Sequence, residues 1–208
     1  MQHGRPVAIL GGVRIPFCRQ NTAYADVGNL GMSVRTLGAL VEKYGLHGQQ
    51  LGEVAMGAVI KHSSDWNLGR EAALSSGLSP LTPGITLQRA CGTSLDTIIH
   101  IAGKIATGQI EAGIGGGSDT TSDVPIVYGK ALRHRLLQAA AAKTTKAKLA
   151  AFKGFRFSEL KPDFPGVAEP RTGKSMGQHC EDMAKEWNIS RDSQDELAVA
   201  SHHKLAAA

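Results

Sequence analysis

Strand-like and helix-like patterns alternate through residues 1–123, and this alternation constrains the fold more than any other feature of the sequence. Runs of apolar or small residues typical of buried strands occur at 7–10, 53–60, 85–88 and 112–118. Between them, apolar residues recur at helical spacing over 27–44, 68–76 and 92–106, and Asp26 is placed to cap the first helix. A chain that alternates strands and helices forms a parallel sheet covered by helices, so the pattern predicts an α/β fold.

The pattern changes after residue 123. Helical patterns cover 131–151, 175–187 and 190 to the end, and we find no strand pattern between them. We therefore predict two domains, an α/β domain over residues 1–123 and a mostly helical insertion over residues 124–208.

Composition indicates a globular protein of the cytoplasm. Of the 208 residues, 42% are hydrophobic and 20% are charged, which excludes a chain that is disordered throughout. No apolar run reaches the roughly 20 residues of a membrane span, and the amino terminus lacks a signal-peptide pattern. The cysteines, Cys18, Cys91 and Cys180, are too few and too scattered for a disulfide framework or a paired zinc site, so we predict a reducing compartment and no metal.

Cys91 has the most informative position in the sequence. It follows a predicted strand and precedes a predicted helix. The positive end of the helix dipole and the free N–H groups of the first turn favour a thiolate there and can stabilise an oxyanion. This interpretation as a nucleophile stands beside a second one, in which Cys91 is a buried structural cysteine.

Two other features do not indicate catalysis. His100 lies nine residues further along the same helix, about 14 Å away, so we interpret it as a core or interface histidine. The glycine run at 113–117 does not lead directly into a helix, and we interpret it as close packing of a strand against a helix instead of a phosphate loop.

Several motifs, in order along nearly the whole chain, resemble the amino-terminal half of the thiolase family. They are Arg14-Ile15-Pro16-Phe17, the run Asn67 to Leu74, Arg89-Ala90-Cys91, Gly115-Gly116-Gly117-Ser118, Ser122-Asp123-Val124-Pro125, Ser175-Met176-Gly177 and the run Ile189 to Asp195. The segment Phe155-Arg156-Phe157 further resembles the thiolase (β) subunit of the trifunctional fatty-acid oxidation complex.

The resemblance implies a thiolase-type fold and an acetyl-CoA C-acyltransferase activity. In this activity, Cys91 accepts the acyl group of a 3-ketoacyl-CoA in fatty-acid β-oxidation, and coenzyme A is a co-substrate while no cofactor is bound. The backbone N–H of Cys91 would help to form the oxyanion hole. Met176 matches a position that lines the acyl pocket. The family also implies a homodimer or tetramer, and a hydratase–dehydrogenase subunit as a partner.

One departure from the family pattern concerns length. Family chains are about twice as long, and their second half supplies a histidine, a second cysteine and an asparagine-bound water, whose motifs are not found over 125–208. We therefore expect these 208 residues to be inactive by themselves. Two alternatives stay open: a condensing enzyme of the β-ketoacyl synthase type, and a scaffold without turnover.

Eight basic residues and no acidic one lie between 124 and 158, and the rest of the chain has 15 basic and 18 acidic residues. They are Lys130, Arg133, Arg135, Lys143, Lys146, Lys148, Lys153 and Arg156. Charge confined to one segment is not typical of a nucleic-acid-binding domain. The segment can be a solvated helix face, can help to hold the phosphates of coenzyme A, or can contact an anionic membrane, as the insertion of trifunctional subunits does.

Overall fold

The computed structural model describes residues 4–164 and 166–207. It forms two compact units, Met1–Asp163 and Phe164–Ala208. The predicted boundary between an α/β domain over residues 1–123 and a helical insertion over residues 124–208 stays a prediction. The first unit contains a parallel sheet covered by helices, as predicted for the α/β class, and the described part of the second unit is mostly helical.

A three-stranded parallel sheet lies at the centre of the first unit. Its strands are β1 (Glu53–Gly57), β2 (Gly84–Leu87) and β3 (Gly113–Gly117), in the order β2-β1-β3. In the register, Val54 lies beside Gly84 on one side and beside Ile114 on the other. Because the strands are parallel, the loops that follow all three leave the same edge of the sheet.

Three helices cover this sheet, and their bounds are within two residues of those predicted. They are α1 (Asn29–Lys43), α2 (Leu68–Ser75) and α3 (Thr93–Ala106); a short 3-10 helix, Ser63–Asp65, precedes α2. Helix α1 begins three residues after Asp26, with Gly28 at its N-cap, so the predicted cap is wrong. The largest apolar cluster consists of Leu37, Val41, Val54, Met56, Ala72, Ala73 and Leu78.

The glycines of β3 let α3 approach the sheet closely. A Cβ atom on Gly115 would lie 2.8 Å from the Cα of Ile98 in α3, and one on Gly113 would lie 3.0 Å from the side chain of Ile101. The glycine run is therefore a strand that packs against a helix, as predicted.

The predicted strand at 7–10 is wrong. The segment lies outside both sheets of the described chain, and Ile9 and Leu10 are more than 80% exposed. Its neighbours are helix ends: the Arg5 N–H donates to the Ala106 carbonyl at the end of α3, and the Tyr44 hydroxyl donates to the Leu10 carbonyl. An apolar run forms a strand only where another strand supplies the ladder of hydrogen bonds, and no strand of residues 4–164 and 166–207 does so for this segment.

Residues 124–163 contain the short elements β4 (Val127–Tyr128), α4 (Lys130–Ala141), α5 (Thr145–Ala150), a 3-10 helix over Phe157–Leu160 and β5 (Pro162–Asp163). Two predictions are corrected. The antiparallel pair β4–β5 is a small sheet where we predicted no strand. The predicted helix 131–151 is broken, because Ala142 is extended and the Thr144 side chain accepts from the Ala147 N–H to cap a new helix.

The second unit consists chiefly of two helices, α6 (Met176–Glu186) and α7 (Arg191–Ala207), as predicted. Ser175 caps α6 in a reciprocal capping box with Gln178. Among the described residues, no helix is long and apolar enough to cross a membrane.

Candidate active site

The Cys91 thiol is exposed and forms no disulfide. It lies in the turn between β2 and α3, at the edge of the sheet where parallel strands end and where ligands of α/β proteins bind. Helix α3 begins two residues later with Gly92 at its N-cap, so Cys91 lies next to the N–H groups of the first helical turn. Cys91 is therefore not buried within the described part of the chain, and its role as a nucleophile stays a prediction.

The turn that carries Cys91 is strained. Ala90 has φ = 41°, a left-handed conformation that costs a non-glycine residue free energy. After it the chain closes with hydrogen bonds from the Gly92 N–H to the Arg89 carbonyl (3.0 Å) and from the Thr93 N–H to the Ala90 carbonyl (3.1 Å). The sequence gives no sign of this conformation, because alanine does not favour it.

The Thr93 side chain binds both residues that precede Cys91. Its Oγ1 accepts from the Arg89 N–H (2.8 Å) and donates to the Ala90 carbonyl (2.7 Å). Thr93 is 4% exposed. Further out, Arg89 pairs with Asp96 of α3 at 2.9 Å, with the arginine side chain mostly in solvent.

Polar side chains tie together the loops that leave the same edge after β1 and β3. The Asp119 carboxylate accepts from the N–H groups of Val59 and Ile60 at 2.8–2.9 Å, and the Ser118 hydroxyl donates to the carbonyl of Asn29 at the start of α1. These contacts fix the two loops at the edge that carries Cys91.

His62 and Asp123 form a pair that the sequence analysis missed. Nε2 of His62 lies 3.0 Å from Oδ1 of Asp123, and both side chains are partly exposed. The signal was present: each residue follows a parallel strand by five or six positions, so both belong to loops at one edge.

His100 binds at the opposite end of the sheet. It contacts Glu53, the first residue of β1, at 2.7 Å, and Lys104 contacts the same carboxylate at 2.8 Å. Burial raises the pKa of Glu53, but the hydrogen bonds from Lys104 and His100 outweigh it and leave the pKa below its ordinary value. His100 is thus a partly buried structural residue, as predicted, and it does not reach Cys91.

Comparisons with known proteins decide the family. The model of the thiolase N-terminal domain matches residues 7–208. The chain belongs to the thiolase family. It is 39% identical over 199 residues to a 3-ketoacyl-CoA thiolase of Shewanella frigidimarina and 37% identical over 207 residues to one of Photorhabdus laumondii. These alignments cover 96% and 100% of the chain but 46% and 48% of the relatives, so this thiolase chain spans about half their length.

A solved structure confirms the thiolase fold. The crystal structure of the Bacillus anthracis acetyl-CoA acetyltransferase superposes with a TM-score of 0.66 at 23% identity, over 88% of this chain and 42% of that one. At this identity the likeness concerns the fold alone.

The other predicted site residue of this thiolase chain is Met176. It is the first residue of α6, is 56% exposed, and belongs to the second unit. Its place in an acyl pocket stays a prediction. Among the described residues, no group of three or more His, Cys, Asp and Glu side chains has the arrangement of a metal site.

Arg135, one of the eight basic residues between 124 and 158, is not free to bind a ligand. The Arg135 guanidinium donates to both Glu159 carboxylate oxygens, at 2.7 and 3.2 Å, and to the carbonyls of Ala151, Lys153 and Gly154. These bonds hold α4 to the chain that follows α5. The hydrogen bonds and charge of Arg135 lower the pKa of Glu159 despite its partial desolvation. The other seven basic side chains are exposed.

Proposed function

We propose that this chain is the part of a 3-ketoacyl-CoA thiolase that carries the acyl-accepting nucleophile. The observation that supports the proposal is the free, exposed Cys91 thiol at the start of α3, on the edge of a parallel sheet where ligands bind. The family and the names of the relatives support the reaction, an acyl transfer to coenzyme A.

The proposed reaction has two acyl transfers. The Cys91 thiolate attacks the 3-keto carbon, the bond between carbons 2 and 3 breaks, and the two-carbon unit takes a proton and leaves as acetyl-CoA. A second coenzyme A then attacks the acyl-cysteine thioester, releasing the shortened acyl-CoA and returning the thiolate. The backbone N–H of Cys91 would help to stabilise the oxyanion of the tetrahedral intermediates, since the N–H groups of Gly92 and Thr93 already bind the carbonyls of Arg89 and Ala90.

The proton transfers need groups other than those around Cys91. The resemblance assigns them to a histidine and a second cysteine in the other half of family chains. We therefore propose that the 208 residues accept an acyl group weakly or not at all and do not turn over. We also propose for the whole protein a role in fatty-acid β-oxidation in the cytoplasm, with a homodimeric or tetrameric state and a hydratase–dehydrogenase partner.

Acyl-enzyme trapping tests the assignment of Cys91. The full-length protein, incubated with a 3-ketoacyl-CoA and without free coenzyme A, should gain the acyl mass on the tryptic peptide that contains Cys91. Thiolysis should fall by at least 10³-fold in Cys91→Ala, as expected when a nucleophile is removed. The matched variants Cys18→Ala and Cys180→Ala, which change the other exposed cysteines, should retain activity. Acylation of another residue, or thiolysis by Cys91→Ala at the wild-type rate, would exclude the proposal.

For segment 124–158 we propose peripheral contact with an anionic membrane. Support comes from exposed lysines beside exposed apolar side chains on α4, on α5 and in the 3-10 helix that follows: Leu137, Leu149 and Phe157 are 67%, 71% and 84% exposed. Clustered basic residues near an anionic bilayer each contribute about 1 kcal/mol. Arg135 takes no part, since Glu159 already binds it.

Sedimentation with vesicles tests this contact. The chain should pellet with vesicles that contain phosphatidylserine and not with vesicles of phosphatidylcholine alone. Changing Lys143, Lys146 and Lys148 to Glu should abolish pelleting. The matched control changes Lys161, Lys185 and Lys204 to Glu, which alters the net charge equally outside the segment and should pellet normally. Equal pelleting of both triple variants would leave the segment as a solvated surface.

A further inference from the structure

The turn before Cys91 contains a strained residue and a side chain that spans it. Ala90 has a positive φ, although alanine has a Cβ that disfavours this conformation. Such a residue keeps its conformation only where neighbouring groups hold it. The conformation of Ala90 sets the direction in which the chain presents Cys91, so a group that fixes this conformation also fixes the position of the thiol.

Thr93 is placed to do this. Its hydroxyl accepts from the N–H of Arg89 and donates to the carbonyl of Ala90, so one oxygen atom binds the backbone at both ends of the Arg89–Ala90 pair. Its γ-methyl lies where the chain passes closest to β1, because a Cβ on Gly57 would collide with it. The side chain is buried, so its rotamer is fixed by packing and both hydrogen bonds are protected from water.

A second tether between the same segments is weaker. The Arg89 side chain is 73% exposed and the Asp96 side chain 21%, and an ion pair with one partner mostly in solvent adds little. The Thr93 N–H also donates to the Ala90 carbonyl, but this bond belongs to the backbone and any residue at 93 would keep it.

We propose that Thr93 is a positioning residue for Cys91: its hydroxyl holds Ala90 in the left-handed conformation and thereby presents the thiol at the first turn of α3. This inference rests on the proposed function of Cys91 as the nucleophile. It goes further by assigning the presentation of the thiol to one side-chain oxygen.

The test measures the alkylation rate of each cysteine by iodoacetamide, with quantification of tryptic peptides by mass spectrometry. Cys18 and Cys180 are exposed elsewhere in the chain and serve as internal references. Thr93→Val, which keeps the shape and removes the hydroxyl, should change the rate at Cys91 by at least fivefold while the rates at Cys18 and Cys180 stay the same. Thr93→Ser, which keeps the hydroxyl, should react within twofold of wild type. Asp96→Asn removes the charge that pairs with Arg89, and Cys91 in this variant should also react within twofold of wild type.

Glycine at position 90 provides the second variant. Glycine adopts a positive φ without strain, so the double variant with Ala90→Gly and Thr93→Val should return the alkylation rate of Cys91 toward that of wild type. The double variant also keeps the proposal testable if Thr93→Val alone does not fold. A Thr93→Val protein, folded by circular dichroism, whose Cys91 reacts at the wild-type rate would overturn the proposal. So would Thr93→Ser behaving like Thr93→Val, or no recovery with glycine at 90. Alkylation does not require turnover, so failure of the acylation assay and failure of this test are separate results.

Discussion

Two regions of the first unit are held together in different ways. The sheet region, residues 29–118, buries Leu68, Val41 and Val54 completely. Among the described residues of 124–163, Leu132 is the buried hydrophobic side chain, and a single arginine, Arg135, binds the pieces together through Glu159 and three carbonyls. Apolar burial is additive over many residues, whereas a polar centre depends on one side chain. We therefore expect the sheet region to unfold as a whole and the basic segment to open locally.

The largest effect should come from the apolar core. Leu68→Ala removes a side chain that is 0% exposed, and large-to-small changes at such sites cost about 2–5 kcal/mol. Leu137→Ala in α4, where the side chain is 67% exposed, should change stability by less than about 0.5 kcal/mol. Urea unfolding followed by circular dichroism measures both. Similar losses of stability in the two variants would contradict the difference between the sheet region and the basic segment.

A smaller effect should come from the contact of α3 with β3. Gly115→Ala introduces a Cβ 2.8 Å from the Cα of Ile98, so the helix must move away, at a cost of about 1–3 kcal/mol. Gly103→Ala lies on the exposed side of the same helix with nothing within 4 Å, and it should stabilise the protein by about 0.5–1 kcal/mol. Thermal unfolding should shift in opposite directions. A shift in the same direction would show that α3 does not pack against β3 in this way.

The smallest effects should come from acid, and they should separate the two regions. The pKa of Glu53 in the sheet region and that of Glu159 in the basic segment are both lowered. Each carboxylate therefore stabilises its surroundings above the unfolded pKa of about 4.3, and this stabilisation is lost as pH falls through the lowered folded value.

Two glutamine variants assign these losses. Glu53→Gln should reduce the dependence of global stability on pH between about 5 and 3. Glu159→Gln should leave global unfolding nearly unchanged but should raise the rate of proteolytic cleavage within 142–156 at pH 7, because Arg135 loses its carboxylate. If Glu159→Gln lowered the global free energy of unfolding more than Glu53→Gln, the basic segment would not open locally as we expect.

Much of this fold could be predicted from the pattern of residues. The spacing of apolar residues located α1, α2 and α3, and small or apolar runs located β1 to β3, because burial imposes those periods on the sequence. The prediction of a strand at 7–10 was wrong because burial is only one requirement for a strand. An apolar run shows that a segment can be buried in a sheet, but not whether a neighbouring strand is present to pair with it. The single helix at 131–151 was wrong because the capping of Thr144 outweighs the helical propensity of its alanine-rich flanks.

The sequence by itself determined the family, the α/β class and the place of Cys91 between a strand and a helix, since all three follow from residues close together in order or from motifs along the chain. Only the tertiary structure decided how that cysteine is held. The positive φ of Ala90, the two bonds of the Thr93 hydroxyl, the pair of His62 with Asp123 and the binding of Arg135 by Glu159 depend on which backbone and side-chain atoms meet after folding. Periodicity records which side of an element is buried, and it carries no information about which polar atoms then find each other.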